Sequence, residues 1–582
     1  MKTFKLLWKI IKFRPMIYLV NCIGISIVNL IPILVGIVIK DIFDVLNSKA
    51  KLDSRIIILV LLLFILYISR ICTYYLDVRI EIIQKFSTSA LLRRNMLNGI
   101  LLLPGAKSTF KSTGEVLNSF RDDVNQVEDY VGQTVEMVGT LFLASAAFII
   151  LLNINTKITI VVFTPLIIIV VAAKLAGTRI AKYRKSSRIA TALVNSALGE
   201  MFSSVQAIQV ANAEKYVLEN FRVISKERQK SALKDDMFTQ LLSSIFQNIV
   251  GIGTGLILLI SAQSIKTGGF TVGDFAIFVY YLYLITLCIE FTGDFLTQYK
   301  QTGVSFQRMI KVLDDKSCNT LVKHNPLLLK GEIPKTQNIV KKHDCKLYNL
   351  EVRSLSYKYP NSKCGIENVN FKIKRNTFTV ITGRIGSGKT TLVRVILGLL
   401  PYDSGEIFWN DKLVKDPENF FIPPYSAYTA QVPHLFSETL KNNILLGLDE
   451  NKVDLKNSIV QAVLEQDIES LENGLDTEIG TRGTKLSGGQ QQRVAAARMF
   501  VRDAELLVFD DISSALDIET ELLLWDNQFK NNNKTFIVVS NRRAALKQAD
   551  NIIVLKEGRV ESQGTLVELL ENCKEMQLIW GD

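Results

Sequence analysis

Histidine is nearly missing from this sequence: 582 residues hold three, His324, His343 and His434. Any role that needs a titrating imidazole falls to one of these or goes unfilled. Cysteine is sparse and unpaired. The seven residues (22, 72, 288, 318, 345, 364 and 573) are scattered with no Cys-x-x-Cys. They read as reduced, mostly buried thiols rather than as a metal or disulfide site. No repeat of 20–50 residues is visible, and the first residues do not resemble a cleavable signal. Their apolar continuation is too long, and no small-residue cleavage site follows. Net charge is +12, yet its distribution argues against nucleic acid as a partner. Cations such as Arg179, Lys182, Arg184, Lys185 and Arg188 lie between apolar spans, the pattern of cytoplasmic loops.

What is present divides in two. Apolar runs at 56–68, 141–152 and 158–173 fill the first half, whereas the second half reads as a soluble α/β protein. Six segments are long and apolar enough to cross a bilayer core, each needing roughly 20 residues. They lie near 16–39, 55–76, 134–153, 158–177, 241–265 and 274–297. Residues 154–157 and the Gly268-Gly269 turn are tight links on one side. The basic connections 77–133 and 178–240 lie on the other, where their charge belongs to the cytoplasm. These connections keep helical periodicity, with short docking elements expected around 102–110 and 204–212. Before the first span, Lys2, Lys5, Lys9 and Lys12 alternate with Phe4, Leu7, Trp8 and Ile11, as in an amphipathic helix on an anionic leaflet. Pro15 ends it. The expected organisation is a six-span membrane domain over 1–313 with its elbow at 1–15, a polar linker over 314–347, and a nucleotide-binding domain over 348–582. The whole is multi-pass in the cytoplasmic membrane.

The second half carries the chemistry. A strand-like run, 378–382, leads into Gly383-Arg-Ile-Gly-Ser-Gly-Lys-Thr390 and a helical segment from Thr391. Strand, glycine loop and helix are the setting of a P-loop. Gly383, Gly386, Ser387, Gly388 and Thr391 then cradle phosphates with backbone N–H groups. Lys389 neutralises the β and γ phosphates of ATP, and Thr390 ligates Mg2+. A second apolar strand, 505–510, ends in Asp510, suited to hold Mg2+ through its waters. Between the two lies Leu486-Ser-Gly-Gly-Gln490.

This set resembles the ATP-binding cassette (ABC) family, whose signature motif is LSGGQ. Six spans followed by a cassette resemble its half-transporters of the type IV, exporter-like fold: an all-α membrane domain followed by an α/β P-loop NTPase. The resemblance implies that Tyr359, 30 positions before Lys389, stacks on adenine. It implies that Gln431 senses Mg2+ and faces the membrane domain, and that 514–517, ending in Asp517, couples the two sites of a dimer. It also implies that Ser487, Gly488, Gly489 and Gln490 close over ATP held by the P-loop of a second half-transporter.

Three positions depart from the family. Asp511 follows Asp510 where the family carries glutamate to orient the attacking water; one methylene shorter, its carboxylate stops short by roughly 1.5 Å, and displacements near 1 Å cost about 10²-fold in rate. Asn541 replaces the switch histidine, and it can donate to a γ phosphate but cannot titrate. Thr481 stands where many exporters carry an acidic residue. The expectation is an ATP-driven exporter subunit with a degenerate site of its own, whose intact signature serves a partner in a heterodimer. The alternatives are a slow homodimeric exporter and an ATP-binding regulatory subunit that transports nothing.

Within the membrane, Glu290 and Asp294 lie four apart on the sixth span. Either they attract a cationic substrate, or they pair with Arg70 or Lys174, the preferred reading. Asn21, Asn29, Gln247 and Asn248 are expected to join helices rather than bind ligands. A drug-like, peptide or lipid substrate is implied by the resemblance alone, as is the lipid bilayer as surroundings.

Overall fold

The computed structural model describes residues 2–48, 54–102, 113–266, 269–313, 318–327, 345–359, 362, 364–480, 483–529 and 534–581. Side chains at 2, 48, 113, 162, 165–181, 242–243, 245–247, 249–250, 252, 261–266 and 318, and that of Ser514, lie outside the description. The chain divides into two compact units. The first is formed by residues up to 99 and 113–327, and the described core of the second by 345–581.

The first unit is helical throughout. A short α1 (Lys2–Ile11) is followed by six long helices: α2 (Pro15–Ser48), α3 (Ser54–Leu101), α4 (Val124–Ile154), α5 (Thr156–Ser203), α6 (Glu214–Lys266) and α7 (Val272–Val312). The segment 114–154 continues α4 backwards through a π-helical turn, Ser119–Asp123. Among the described residues, four helices are long and apolar enough to cross a membrane: α2, α3, the one ending in α4, and α7. At ~1.5 Å per residue, the 48 residues of α5 and 53 of α6 exceed twice the ~30 Å of a bilayer core, so both run on beyond it. A short helix, Val205–Val210, lies between them, inside the expected docking element at 204–212. The element at 102–110 lies outside the described residues except at its first position, as does Gly268 of the expected turn.

Local chemistry starts and joins these helices. Asn155 alone separates α4 from α5, and its side chain accepts the Ile158 N–H at 3.1 Å. Thr271 and Asp274 form a reciprocal capping box at the start of α7. The Asp274 carboxylate also meets Lys40 of α2 at 2.8 Å, and the Gly273 N–H donates to Asp44 at 2.9 Å. A Cβ on Gly273 would lie 2.3 Å from the Lys40 carbonyl oxygen, so only glycine lets the two helices meet this closely. Tyr281, fully buried, donates to the Ile33 carbonyl at 2.6 Å across the space left by Gly36. Lower on α2, buried Asn21 donates to Gln84 of α3 at 2.9 Å, and just before the helix Arg14 donates to Ser87 at 2.9 Å. Asn21 thus joins helices, as expected, whereas Asn248 donates within its own helix to the Ser244 carbonyl. Pro32 lies inside α2, between these lower bonds and the Lys40 contact.

The α1 helix differs from the simple amphipathic reading. Leu6, Leu7 and Ile10 are buried against the unit, while Phe4 and Trp8 are exposed. The apolar residues therefore form two faces, one docked on protein and one left outward. Leu7 belongs to the docked face, not to the outward one with Phe4 and Trp8.

The second unit contains two sheets. A four-stranded antiparallel sheet has the order β2 (Gly365–Lys374), β1 (Asn349–Lys358), β4 (Ser404–Trp409), β5 (Lys412–Leu413). The six-stranded sheet has the order β10 (Arg559–Gly564), β9 (Asn551–Lys556), β3 (Phe378–Gly383), β8 (Thr535–Val539), β7 (Leu506–Asp510), β6 (Ser426–Thr429). Strands β9, β3, β8, β7 and β6 are parallel. β3, β7 and β8 are buried at every position, which is why they read as continuous apolar runs. One core, around Trp525, Phe378 and Phe509, covers one side of this sheet. The other, around Ile381, Leu392 and Val508, lies between the two sheets.

The polar segment expected as a linker is partly folded. Residues 314–317 and 328–344 lie outside the description, but Cys318–Leu321 is a helical turn whose Leu321 and Val322 are buried in the first unit. Buried Asn95 of α3 holds it there, donating to the Leu321 and Lys323 carbonyls, both at 2.9 Å. Arg94 donates to the Pro326 carbonyl. Replacing Asn95 with Ala leaves these carbonyls without their donor, a loss on the order of 1–3 kcal/mol. Limited proteolysis of the variant is expected to open new cleavage within 318–327 at a temperature where the parent chain is intact.

Candidate nucleotide site

The order β3–β8–β7 brings three strand ends to one edge of the sheet. β3 runs into the glycine loop, β7 ends at Asp510, and β8 leads through Ser540 to Asn541. The glycine loop closes over Gly383, where a Cβ would lie 2.3 Å from the Leu555 carbonyl oxygen. It ends at Gly388, left-handed at φ 98°, which starts α8 (Lys389–Ile396). Lys389 Nζ donates to the loop's own carbonyls, those of Gly383 and, at 3.0 Å, Arg384. Burial lowers the Lys389 pKa, while Asp511 and Asp510 oppose that shift.

Asp510 is fully buried. It accepts Thr390 Oγ1 on one carboxylate oxygen at 2.9 Å and Tyr428 OH on the other at 3.1 Å. Burial pushes its pKa up against these bonds and against the charges of Arg394 and Lys389. Asp511 is left-handed at φ 54°, a conformation that a short polar side chain tolerates. Its carboxylate accepts Gln431 Nε2 at 3.0 Å, and burial raises its pKa too, with Asp510 adding to the rise and the Gln431 bond resisting it.

Asn541 is turned by the loop itself. Its Oδ1 accepts Thr382 Oγ1 at 3.0 Å and the Gly383 N–H at 3.4 Å, so the amide N–H2 is the end left for another partner. Tyr359 OH lies 3.3 Å from Thr391 Oγ1, which sets its ring beside the first turn of α8.

The Ser487–Gln490 segment starts α9 (Gly488–Phe500) as a reciprocal capping box. The Ser487 N–H donates to Gln490 Oε1 at 2.8 Å, and Gln490 Nε2 to Asp467 at 3.1 Å. Gly489 lets the helix approach the next loop, since a Cβ there would meet the Ala515 carbonyl oxygen at 2.8 Å. Asp517 caps α10 (Ile518–Phe529) through the Thr520 N–H at 2.9 Å. Among the described residues, no hydrogen bond links Ser487–Gln490 to the glycine loop of the same chain. Thr481 lies outside the described residues.

Sequence reasoning missed Tyr428, Thr382 and Asp467. Thr382 had a signal, a polar residue in an apolar strand; Tyr428 and Asp467 are set by pairings far apart in sequence.

In the first unit, Glu290 and Asp294 are exposed on α7. Among the described residues, neither is ion-paired, and the expected pairing with Arg70 is absent. Arg70 instead lies close enough to act on Tyr280, ten residues and about 15 Å of helix away from Glu290. The Lys174 side chain is outside the description.

Comparison with known proteins agrees with this architecture. Residues 18–287 match the ABC transporter transmembrane region, and residues 366–514 match the ABC transporter domain. The chain is an ABC half-transporter. It is a multi-pass membrane protein in which an ABC ATPase, by its family an ATP-binding domain, is fused to its transmembrane partner. This half-transporter is 24% identical over 595 residues to a putative export ATP-binding/permease protein of Rickettsia bellii, covering 99% of this chain and 98% of that one. It is 25% identical to a probable multidrug resistance ABC transporter ATP-binding/permease protein of Bacillus subtilis, over 83% of this chain and 80% of the relative. It is 24% identical to an ATP-dependent lipid A-core flippase of Vibrio vulnificus, with 82% and 80% covered. A bacterial Atm1-family ABC exporter with ATP bound shares the fold at a TM-score of 0.78 and 18% identity, over 96% of this chain and 97% of that one.

Thr382→Val removes the hydroxyl that orients Asn541 and should cost about 1 kcal/mol of stability. The amide is then held only by the longer Gly383 bond, so preference for ATP over ADP is expected to fall while ADP affinity holds. Competition binding with the two nucleotides measures both.

Proposed function

We propose that this half-transporter is one subunit of an ATP-driven exporter in the cytoplasmic membrane, with its cassette in the cytoplasm. Its own ATP site holds nucleotide and hydrolyses it slowly. Its Ser487–Gln490 segment completes a faster site on a different half-transporter. The observation that carries this reading is the Asp511 carboxylate, one methylene short of glutamate and engaged by Gln431 at 3.0 Å. A group so placed is poorly suited to polarise water at a γ phosphate. Asn541 adds to this, because its acceptor oxygen is occupied and its amide cannot carry a proton.

The oxygen donors fit Mg2+ as the companion of ATP. Asp510 supplies a buried carboxylate beside the Thr390 hydroxyl at 2.9 Å, with the Gln431 amide on the neighbouring aspartate. Among the described residues, no group of three His, Cys, Asp or Glu could hold a metal ion, but Mg2+ is bound through one or two carboxylates, phosphates and water. In this reading Tyr359 stacks on the base and Lys389 meets the phosphates. The cargo class is drug-like, peptide or lipid; the printed names of a multidrug resistance relative and of a lipid A-core flippase support the first and the last.

The purified chain alone is expected to bind ATP with little turnover. Asp511→Glu combined with Asn541→His should raise the rate by about 10²-fold. Brisk, Lys389-dependent hydrolysis by the unaltered homodimer would sink the two-subunit reading. Nucleotide binding without substrate flux in vesicles holding both half-transporters would favour a regulatory subunit instead. In the same vesicles, Glu290→Gln is expected to change the preference for cationic over neutral cargo; an unchanged preference removes Glu290 from substrate recognition.

A further inference from the structure

The second residue of the glycine loop is Arg384. Its Nε meets Glu575 Oε1 at 2.6 Å. Glu575 lies in the first turn of α11 (Lys574–Gly581), and its side chain is only 5% exposed. Its other oxygen is 3.9 Å from Lys556 Nζ. A carboxylate this buried is costly unless cations reach it, so the Arg384 contact is a strong constraint on both partners. The Arg384 backbone carbonyl in turn accepts Lys389 Nζ at 3.0 Å. A line of contacts therefore runs from the last helix, through one residue of the glycine loop, to the lysine that meets phosphate.

The same helix reaches the other loop of the site. Arg543, two residues after Asn541, donates to the Trp580 carbonyl at 2.7 Å, with its guanidinium 5.5 Å from the Trp580 ring centre. Met576, fully buried between these two contacts, anchors the helix in the core that contains β3 and β8 residues.

We propose that α11 is a clamp on the nucleotide site, with Glu575 and Arg384 as positioning residues for ATP binding. The clamp fixes the first turn of the glycine loop, and through it Lys389, before nucleotide arrives. This inference concerns binding alone, so it stands or falls separately from the slow-site reading, which concerns turnover.

The test uses the full chain in lipid nanodiscs, a fluorescent trinitrophenyl-ATP as probe, and thermal unfolding without nucleotide as control. Glu575→Gln is expected to weaken probe binding by about tenfold. Arg384→Gln should do the same, and the double variant should be no worse than either single one, as for two residues acting through one contact. Exchanging the charges, R384E with E575R, should recover most of the affinity. An anchor for the helix alone would shift unfolding and leave affinity unchanged. The clamp is overturned if Glu575→Gln binds the probe as well as or better than the parent chain, or if the two single losses simply add. Should Glu575→Gln fail to fold, Arg384→Gln, altered at an exposed side chain, decides by itself: unchanged affinity refutes the clamp and a tenfold loss recovered by the charge exchange supports it.

Discussion

The nucleotide site depends on one constraint, the parallel hydrogen-bond register that sets β8 between β3 and β7. Val380 and Ile381 pair with Val538 and Val539, and Asp510 pairs with Val539 on the other side. Because all three strands point the same way, their carboxyl ends emerge together, where ligands of open α/β sheets bind. The glycine loop lies more than 100 residues before both the Asp510–Asp511 pair and Asn541, yet the register makes it a hydrogen-bond neighbour of each. Burial of every residue of β3, β7 and β8 holds that register, since slippage by one residue would break packing on both faces.

Within this frame, the two unusual residues are well-formed parts of the site. Asp511 has a hydrogen-bond partner, and the Asn541 amide is oriented by two donors. Neither position has the character of a decayed site, which would leave polar groups unpartnered or filled by apolar side chains. The arrangement keeps Lys389 and the Asn541 amide at the glycine loop but has neither the longer carboxylate nor a titrating ring. That division agrees with the proposed slow site.

Much of this was legible in the sequence because the signals are local. The glycine loop, the signature and the strand ending in Asp510 are contiguous stretches whose chemistry follows from their order, and the long helices follow from apolar length. Contacts across the fold were less accessible. Tyr428 reaches Asp510 only through the β6–β7 pairing, and Arg70 could not be placed beside Tyr280 without knowing how α3 and α7 lie together. The α1 helix misled for a different reason. Helical periodicity marks which residues share a face but not whether that face meets protein or lipid, and here Leu7 and Trp8 are adjacent in sequence yet go opposite ways. The polar stretch after 313 likewise reads as a linker by composition, although buried Leu321 and Val322 and the bonds from Asn95 hold part of it in place.

The proline in α2 gives that helix a mechanical character. Below Pro32 the helix is fastened to α3 through Asn21 and through Arg14 just before its start; above it, Lys40 and Asp44 fasten it to α7. The ring deprives one turn of its backbone bond, between the two sets of fastenings. A straight strut would force α3 and α7 to move as one. A strut weakened at its middle behaves as a jointed lever, allowing the two ends of the helix to pivot about a single turn.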